Sequence, residues 1–275
     1  MTPARAVAAA KINLALVVGP RRDDGLHDVV SVMQRIDLCD RIELTPGDRL
    51  AVEGFDDTIV GLALTRLATA AGVQPSWHVR IAKEIPVAAG LGGGSADAAA
   101  ALGLANASLP EPLDPERLAR LAAAVGADVP FFLAPGPKLA EGVGERVSAL
   151  DLPQDFWVLV ALARDAEKGS TGAVYARYDV LGGGAGFVER AAALRELLAG
   201  VRRSGDLASL PPNDLAEASG AGPLAAELLA VGAFRADVSG AGPAVYGLFE
   251  SRREARSAAR RIGRRARCWV VPPVW

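Results

Sequence analysis

The sequence predicts a two-domain α+β fold, and three observations carry that reading. The first 45 residues read as strands, a glycine-rich loop joins a strand to an alanine-rich helix near the middle, and the second half runs in the order βαββαβ. With 275 residues and 51% hydrophobic content, the chain can bury one large core or two ordinary ones. The pattern breaks at DLPQD, residues 151–155, which divides the chain into domains 1–152 and 153–275.

In chain order, AVAAAKINLALVVG (residues 6–19) is an apolar strand interrupted by Lys11 and Asn13, whose equal parity puts them on one face. RRDDGLH (21–27) turns at Asp24-Gly25 and leads to strands over 29–38 and 41–45, an antiparallel sheet ending at Pro46-Gly47. Asp56 or Asp57 caps a helix through Ala71 that Gly72 stops, and residues 76–85 alternate as a strand. A helix runs from Ser95 to Ala107; the next opens at Asp114-Pro115, where the missing proline N–H costs nothing, and ends at Gly126.

Beyond the division, strands are expected at 156–162, 234–238, 244–249 and 267–271. Helices fall at 187–198, at 223–231, and from a Ser251/Glu254 capping box to Gly263, with a tight SGAG link at 239–242. This is the ferredoxin-like order with one extra helix.

Composition excludes several classes. A net charge of −2 offers no general basic face, and the arginines of 252–267 are spaced as a solvated helix face, so nucleic acid is not the main partner. Cys39 and Cys268 lie far apart with no CxxC context, which argues against disulfide scaffolds and zinc sites. With no apolar run of about eighteen residues and no cleavable leader, the expectation is a cytoplasmic protein with no membrane association.

The stretch KEIPVAAGLGGGSADAAA, residues 83–100, crowds Gly90, Gly92, Gly93 and Gly94 ahead of a helix that Ser95 is read to cap. Glycines let backbone N–H groups approach an anion, and a helix N-terminus attracts one, so the stretch is either a phosphate cradle or a flexible turn. The Walker spacing fails because Ser95 follows Gly94 with no lysine between, and the Rossmann spacing fails because Ser95 sits where its last glycine belongs.

Arginine carries most of the positive charge, and lysine occurs only at Lys11, Lys83, Lys138 and Lys168, a hint that a compact point charge is wanted there. Lys11 within an apolar strand either faces an anion or snorkels to water. Asp128, in GADVPFF, is flanked by Val129, Phe131 and Phe132. It is either a loop acid bonded to local amides or the partner of Lys11, and such a pair can polarise a hydroxyl. His27 in its turn can read the polar edge of a ligand, whereas His78 sits in a strand as a structural residue. No cluster has metal-ligand spacing. A cradle with a lysine and an acid fits phosphoryl transfer, which needs positioning and electrostatics more than covalent chemistry.

Four motifs in order carry a resemblance: AKINL with DGLH (10–14 and 24–27), IPVAAGLGGGSADAA (85–99), GADVPFF with EGVGE (126–132 and 141–145), and SGAGPAVYGLF (239–249). On these the chain resembles the GHMP-superfamily kinases, and among them the 4-diphosphocytidyl-2-C-methyl-D-erythritol kinase family of the non-mevalonate isoprenoid pathway. The resemblance implies a ribosomal-S5-like N-terminal domain and a ferredoxin-like C-terminal domain. It implies ATP-dependent phosphorylation of the C2 hydroxyl of the erythritol portion, with Mg2+ whose ligands stay unassigned.

Lys11 and Asp128 match the catalytic positions. Lys83, Pro86, Ala89, Gly90, Leu91, Gly92, Gly93, Gly94 and Ser95 match ATP-binding positions, and Asn13, His27, Thr171 and Tyr175 match positions facing the cytidine diphosphate-linked substrate. A homodimer is left open. The chain departs from the family at Leu26, where DGYH is usual, at Met33, near which an aromatic residue can occur, and at Thr58, where the Asn of an adenine-contacting pair is expected. Two other readings follow: a GHMP-type kinase for another small alcohol, prompted by Leu26, and a nucleotide-binding module without catalysis.

Overall fold

The apolar N-terminal run forms β1 (Ala4–Arg21), buried without a break from Ala10 to Gly19. The computed structural model describes residues 3–55, 58–166 and 169–275; the expected caps at Asp56 or Asp57, the Thr58 side chain and Lys168 lie outside the described residues. After the turn comes β2 (His27–Pro46), one strand of 20 residues where two were expected. The expected break fell between Leu38 and Arg41. Asp40 instead stays in the strand because its buried carboxylate accepts the amides of Glu84 and Ile85 at 2.6 and 2.9 Å.

There follow β3 (Ala51–Glu53), α1 (Thr58–Ala71), β4 (Trp77–Ala82), α2 (Gly93–Ser108), α3 (Pro115–Val125) and a 3₁₀ turn at Pro130–Leu133. Next come β5 (Lys138–Glu141), β6 (Arg146–Ala149), β7 (Trp157–Ala163), α4 (Thr171–Val180) and α5 (Phe187–Gly200). A 3₁₀ turn (Ser204–Ser209), α6 (Ala216–Ser219), α7 (Gly222–Ala230), β8 (Arg235–Val238), β9 (Val245–Phe249), α8 (Arg252–Ile262), β10 (Ala266–Val271) and β11 (Pro273–Val274) complete the order. The chain forms two compact units that cut it differently from a division at residue 152. One takes the residues up to Ala10, Leu38–Val87 and Gly92–Pro135; the other takes Lys11–Asp37, Ala88–Leu91 and Gly136–Trp275.

In the first unit, Arg41–Pro46 of β2 pairs antiparallel with β4, and β3 runs parallel to β4. Alternation in β4 sends Trp77, Val79 and Ile81 into a core shared with Val60, Leu64 and Leu67 of α1 and the alanines of α2. Each such large side chain contributes about 1.5–3 kcal/mol of burial, and alanine on α2 lets the helices approach closely. Asp114 caps α3 by accepting the Arg117 amide at 2.8 Å, with Pro115 in the first turn as expected.

In the second unit, Ser31–Met33 of β2 pairs with β5, β5 with β6, and β11 with Arg35 and Ile36. A separate antiparallel sheet has the order β10-β7-β9-β8. Numbered within their own unit these are strands 4-1-3-2, the order a split βαββαβ fold gives. One core joins this sheet to α7 and α8 through Leu159, Leu228, Val245 and Ile262. The Ser251/Glu254 capping box opens α8. The segment between β7 and β8 holds more helix than expected: α4 and α6 join α5 and α7.

Candidate active site

In the second unit, the Lys11 side chain is carried by buried strand and its Nζ donates to Asn13 Oδ1 at 2.7 Å. The same oxygen accepts the Gly240 amide at 2.8 Å, while Asn13 Nδ2 donates to Ser31 Oγ at 2.7 Å. Equal parity on β1 thus produced a direct contact between the two polar side chains. Burial of Lys11 and Asn13, at 4% and 2% exposure, makes these bonds matter, because an unsatisfied buried group costs about 1–3 kcal/mol.

The SGAG link holds this strand and part of the glycine loop together. Ser239 Oγ donates to Gly90 O at 2.9 Å, the Ala244 amide donates to Ala89 O at 3.0 Å, and the Lys11 amide donates to Leu91 O at 2.9 Å. Gly90 has φ +82°. Asn213, which the sequence reading missed, fixes the link: its Nδ2 donates to Val238 O and Gly240 O at 2.9 and 2.7 Å. Its own amide donates to Asp237 Oδ2 at 2.8 Å. Burial pushes the Asp237 carboxyl up, against the Asn213 and Val238 amides that donate to it and the Arg235 charge, which pull it down.

In the first unit, the loop enters α2 through Gly92, whose left-handed φ of 69° makes it the N-cap. Ser95 was expected in that role. It lies three residues inside, because glycine alone takes the cap conformation without a Cβ penalty. The amide of Ala96 donates to Gly92 O at 2.9 Å. Lys83 Nζ donates to Asp40 Oδ2 at 2.5 Å and to Asp97 Oδ2 at 2.8 Å, with both carboxylates fully buried and the lysine side chain 13% exposed. A Cβ on Gly93 would lie 3.2 Å from that ammonium, so the triad sits directly under the start of α2.

Burial pulls Lys83 down, but its bonds to Asp40 and Asp97 outweigh this and hold it above its usual value. Burial, with Asp40 adding to it, pushes Asp97 up to about 7 against the opposing pull of Lys83. Two carboxylates share one ammonium here, and Asp97 Oδ1 is buried with no hydrogen-bond partner among the described residues. Asp40 and Asp97 were not singled out in the sequence, although Asp97 stands within the glycine motif. Asp128 lies in the same unit, half-buried, ahead of Val129, Pro130 and Phe131, which are all buried.

Around the predicted substrate residues, His27 begins β2 and its Nε2 lies 2.7 Å from Asp179 Oδ1. Tyr175 packs on the imidazole with ring centroids 4.9 Å apart, and Tyr178 meets it edge-on at 6.2 Å. Thr171, Tyr175 and Asp179 recur every fourth residue along α4, which Ser170 caps by accepting the Ala173 amide. Thr171 is exposed and Leu26 is 51% exposed. A cavity of about 710 Å³ beside α7, lined by Arg164, Arg265 and Glu227, contains none of the predicted site residues.

Two GHMP kinase models match: the GHMP kinases N terminal domain over residues 57–136 and the GHMP kinases C terminal region over 214–267. The 4-diphosphocytidyl-2-C-methyl-D-erythritol kinase of Anaeromyxobacter sp. is 40% identical over 268 residues, covering 93% of this chain and 85% of its own length. The chain belongs to the 4-diphosphocytidyl-2-C-methyl-D-erythritol kinase family. A solved structure of 4-(cytidine 5'-diphospho)-2C-methyl-D-erythritol kinase matches this family member with a TM-score of 0.80 at 32% identity, over 99% of this chain and 100% of that one. The homoserine kinase of Cytophaga hutchinsonii, at 16% identity and a TM-score of 0.71 over 97% and 95% of the two chains, shares the fold alone. The present kinase is therefore a small-molecule kinase that phosphorylates a hydroxyl, built on the two-domain GHMP fold. No helix among its described residues is long and apolar enough to cross a membrane.

Proposed function

We propose that this kinase transfers the γ-phosphoryl group of ATP to the C2 hydroxyl of 4-diphosphocytidyl-2-C-methyl-D-erythritol, in the non-mevalonate route to isoprenoid precursors. The hydroxyl oxygen attacks the γ-phosphorus, the bond to the β-phosphate oxygen breaks, and ADP leaves. Asp128 orients the hydroxyl and takes its proton, a contribution of about 10²–10⁴-fold for a placed base. Lys11 stabilises the charge that builds on the transferring group.

Gly90, Leu91, Gly92, Gly93, Gly94 and Ser95, with Lys83, Pro86 and Ala89 flanking them, hold the nucleotide, and Asn13, His27, Thr171 and Tyr175 hold the substrate. Mg2+ would accompany the nucleotide and neutralise charge on its phosphates.

The observation that supports this reading most is the buried Lys11, whose amide is tied to Leu91 of the glycine loop and whose ammonium is aimed by Asn13. A buried lysine held against a glycine loop serves phosphate chemistry better than packing. The test is incubation of purified kinase with Mg2+, ATP and the cytidylated alcohol, with phosphorus NMR of the product. A new phosphomonoester on the tertiary C2 oxygen is expected, and its absence would defeat the proposal. Leu26, in place of a tyrosine, favours a second reading as a kinase of another small alcohol; a panel in which an uncytidylated alcohol is clearly preferred would establish it.

A further inference from the structure

We propose that Asp179 is a positioning residue that makes the substrate site select cytosine, by fixing which nitrogen of His27 carries the proton. The proposal rests on the assignment of His27 to the cytidine end of the substrate. His27 Nε2 lies 2.7 Å from Asp179 Oδ1, and the His27 side chain is only 4% exposed. A carboxylate can only accept, so in the neutral imidazole the proton sits on Nε2 and Nδ1 keeps its lone pair. Among the described residues Nδ1 makes no hydrogen bond, which leaves it as an acceptor for a ligand.

An acceptor at a base edge distinguishes the two pyrimidines. The exocyclic amine of cytosine donates to it, whereas the carbonyl that uracil carries at the same place meets it lone pair to lone pair. Asp179 thus converts an ambiguous imidazole into a reader of amino groups. Three neighbours of the ring come from α4: Tyr175 packs on its face, Tyr178 on its edge, and Asp179 binds its nitrogen. Packing alone would be served by the two tyrosines; the carboxylate adds control of the proton.

The test uses D179N and D179E in the full chain. An asparagine can turn its amide N–H toward Nε2, which moves the imidazole proton to Nδ1 and reverses the reading. The chain has two histidines, so nitrogen-15 NMR of the imidazoles resolves the tautomer of His27. The expected results are an Nε2-protonated His27 in the wild type and in D179E, and an Nδ1-protonated one in D179N.

Kinetically, D179N should raise KM for the cytidylated substrate about tenfold with a smaller change in kcat, the size of one lost hydrogen bond. Its preference over the uridine analogue should fall by a similar factor, and D179E should recover part of both. A D179N kinase that keeps the wild-type tautomer, or that changes tautomer without changing base preference, would overturn the proposal while leaving the kinase activity standing. A wild type inactive on the cytidylated substrate would overturn the functional assignment and this proposal together.

Discussion

Gly90 and Ser239 pack so tightly that a Cβ on Gly90 would lie 2.1 Å from the Ser239 carbonyl oxygen. Both sides of this contact are backbone, so neither yields by a rotamer change. Gly90→Ala also meets a φ of +82°, unfavourable for any residue with a Cβ. The variant should lose about 2 kcal/mol or more of stability and most of its nucleotide affinity. Thermal unfolding and ATP titration check this; an alanine variant with unchanged melting temperature and affinity would contradict the packing described.

The Asp40–Lys83–Asp97 cluster predicts a pH dependence with a definite sign. Asp97, at about 7 against an ordinary 3.8, holds a proton in the folded protein that the unfolded chain releases. That contribution to stability is complete below about pH 3.8 and is lost as pH rises through about 7. Asp97→Asn mimics the protonated acid, so it should flatten stability across this window and be on the order of 1–3 kcal/mol more stable than wild type at pH 8. Urea unfolding at pH 5 and pH 8 reads it directly, and a variant less stable than wild type at pH 8 would refute the assignment.

Asn213→Ala removes both donors from the Val238 and Gly240 carbonyls and loosens the link whose Gly240 amide meets Asn13. A cost of about 2–4 kcal/mol is expected from a buried network of this kind. The kcat should fall as well, because Lys11 shares Asn13 Oδ1 with that amide. Stability measured by denaturant, together with steady-state kinetics, separates this from a purely local defect.

Asp128→Asn should lower kcat by about 10²–10⁴-fold while leaving ATP affinity nearly intact, because it removes a proton acceptor and preserves shape. Calorimetric ATP binding beside turnover is the check. Equal losses in both would place Asp128 in nucleotide binding instead.

Much of the fold is legible in the sequence wherever the signal is local. Asp114-Pro115 and Ser251 with Glu254 announce their helices because caps are short-range chemistry, and the βαββαβ order of the second half follows from alternating runs. The strand expected to break near Asp40 runs on because that side chain is satisfied by amides more than forty positions away. The short strands β3, β5, β6 and β11 were missed: they carry too few residues to show a period. α4 was missed because TGAVYARYDV has little amphipathic contrast.

Of the candidate site, Lys11, Asn13 and the glycine loop were visible, since a lysine in an apolar strand and clustered glycines are rare patterns. Asp179 and Asn213 were not. Their partners, His27 and Gly240, lie 152 and 27 positions away, and no spacing in one sequence encodes such pairs.

The most direct test of the account is the ratio of kcat/KM for the cytidylated alcohol to that for its uncytidylated parent, measured with Mg2+ and ATP. The cytidylated substrate should be phosphorylated at C2 with a preference of about a hundredfold, the sum of a stacking contact and a base-edge hydrogen bond. Equal use of the two alcohols, or no transfer from ATP to either, would contradict it.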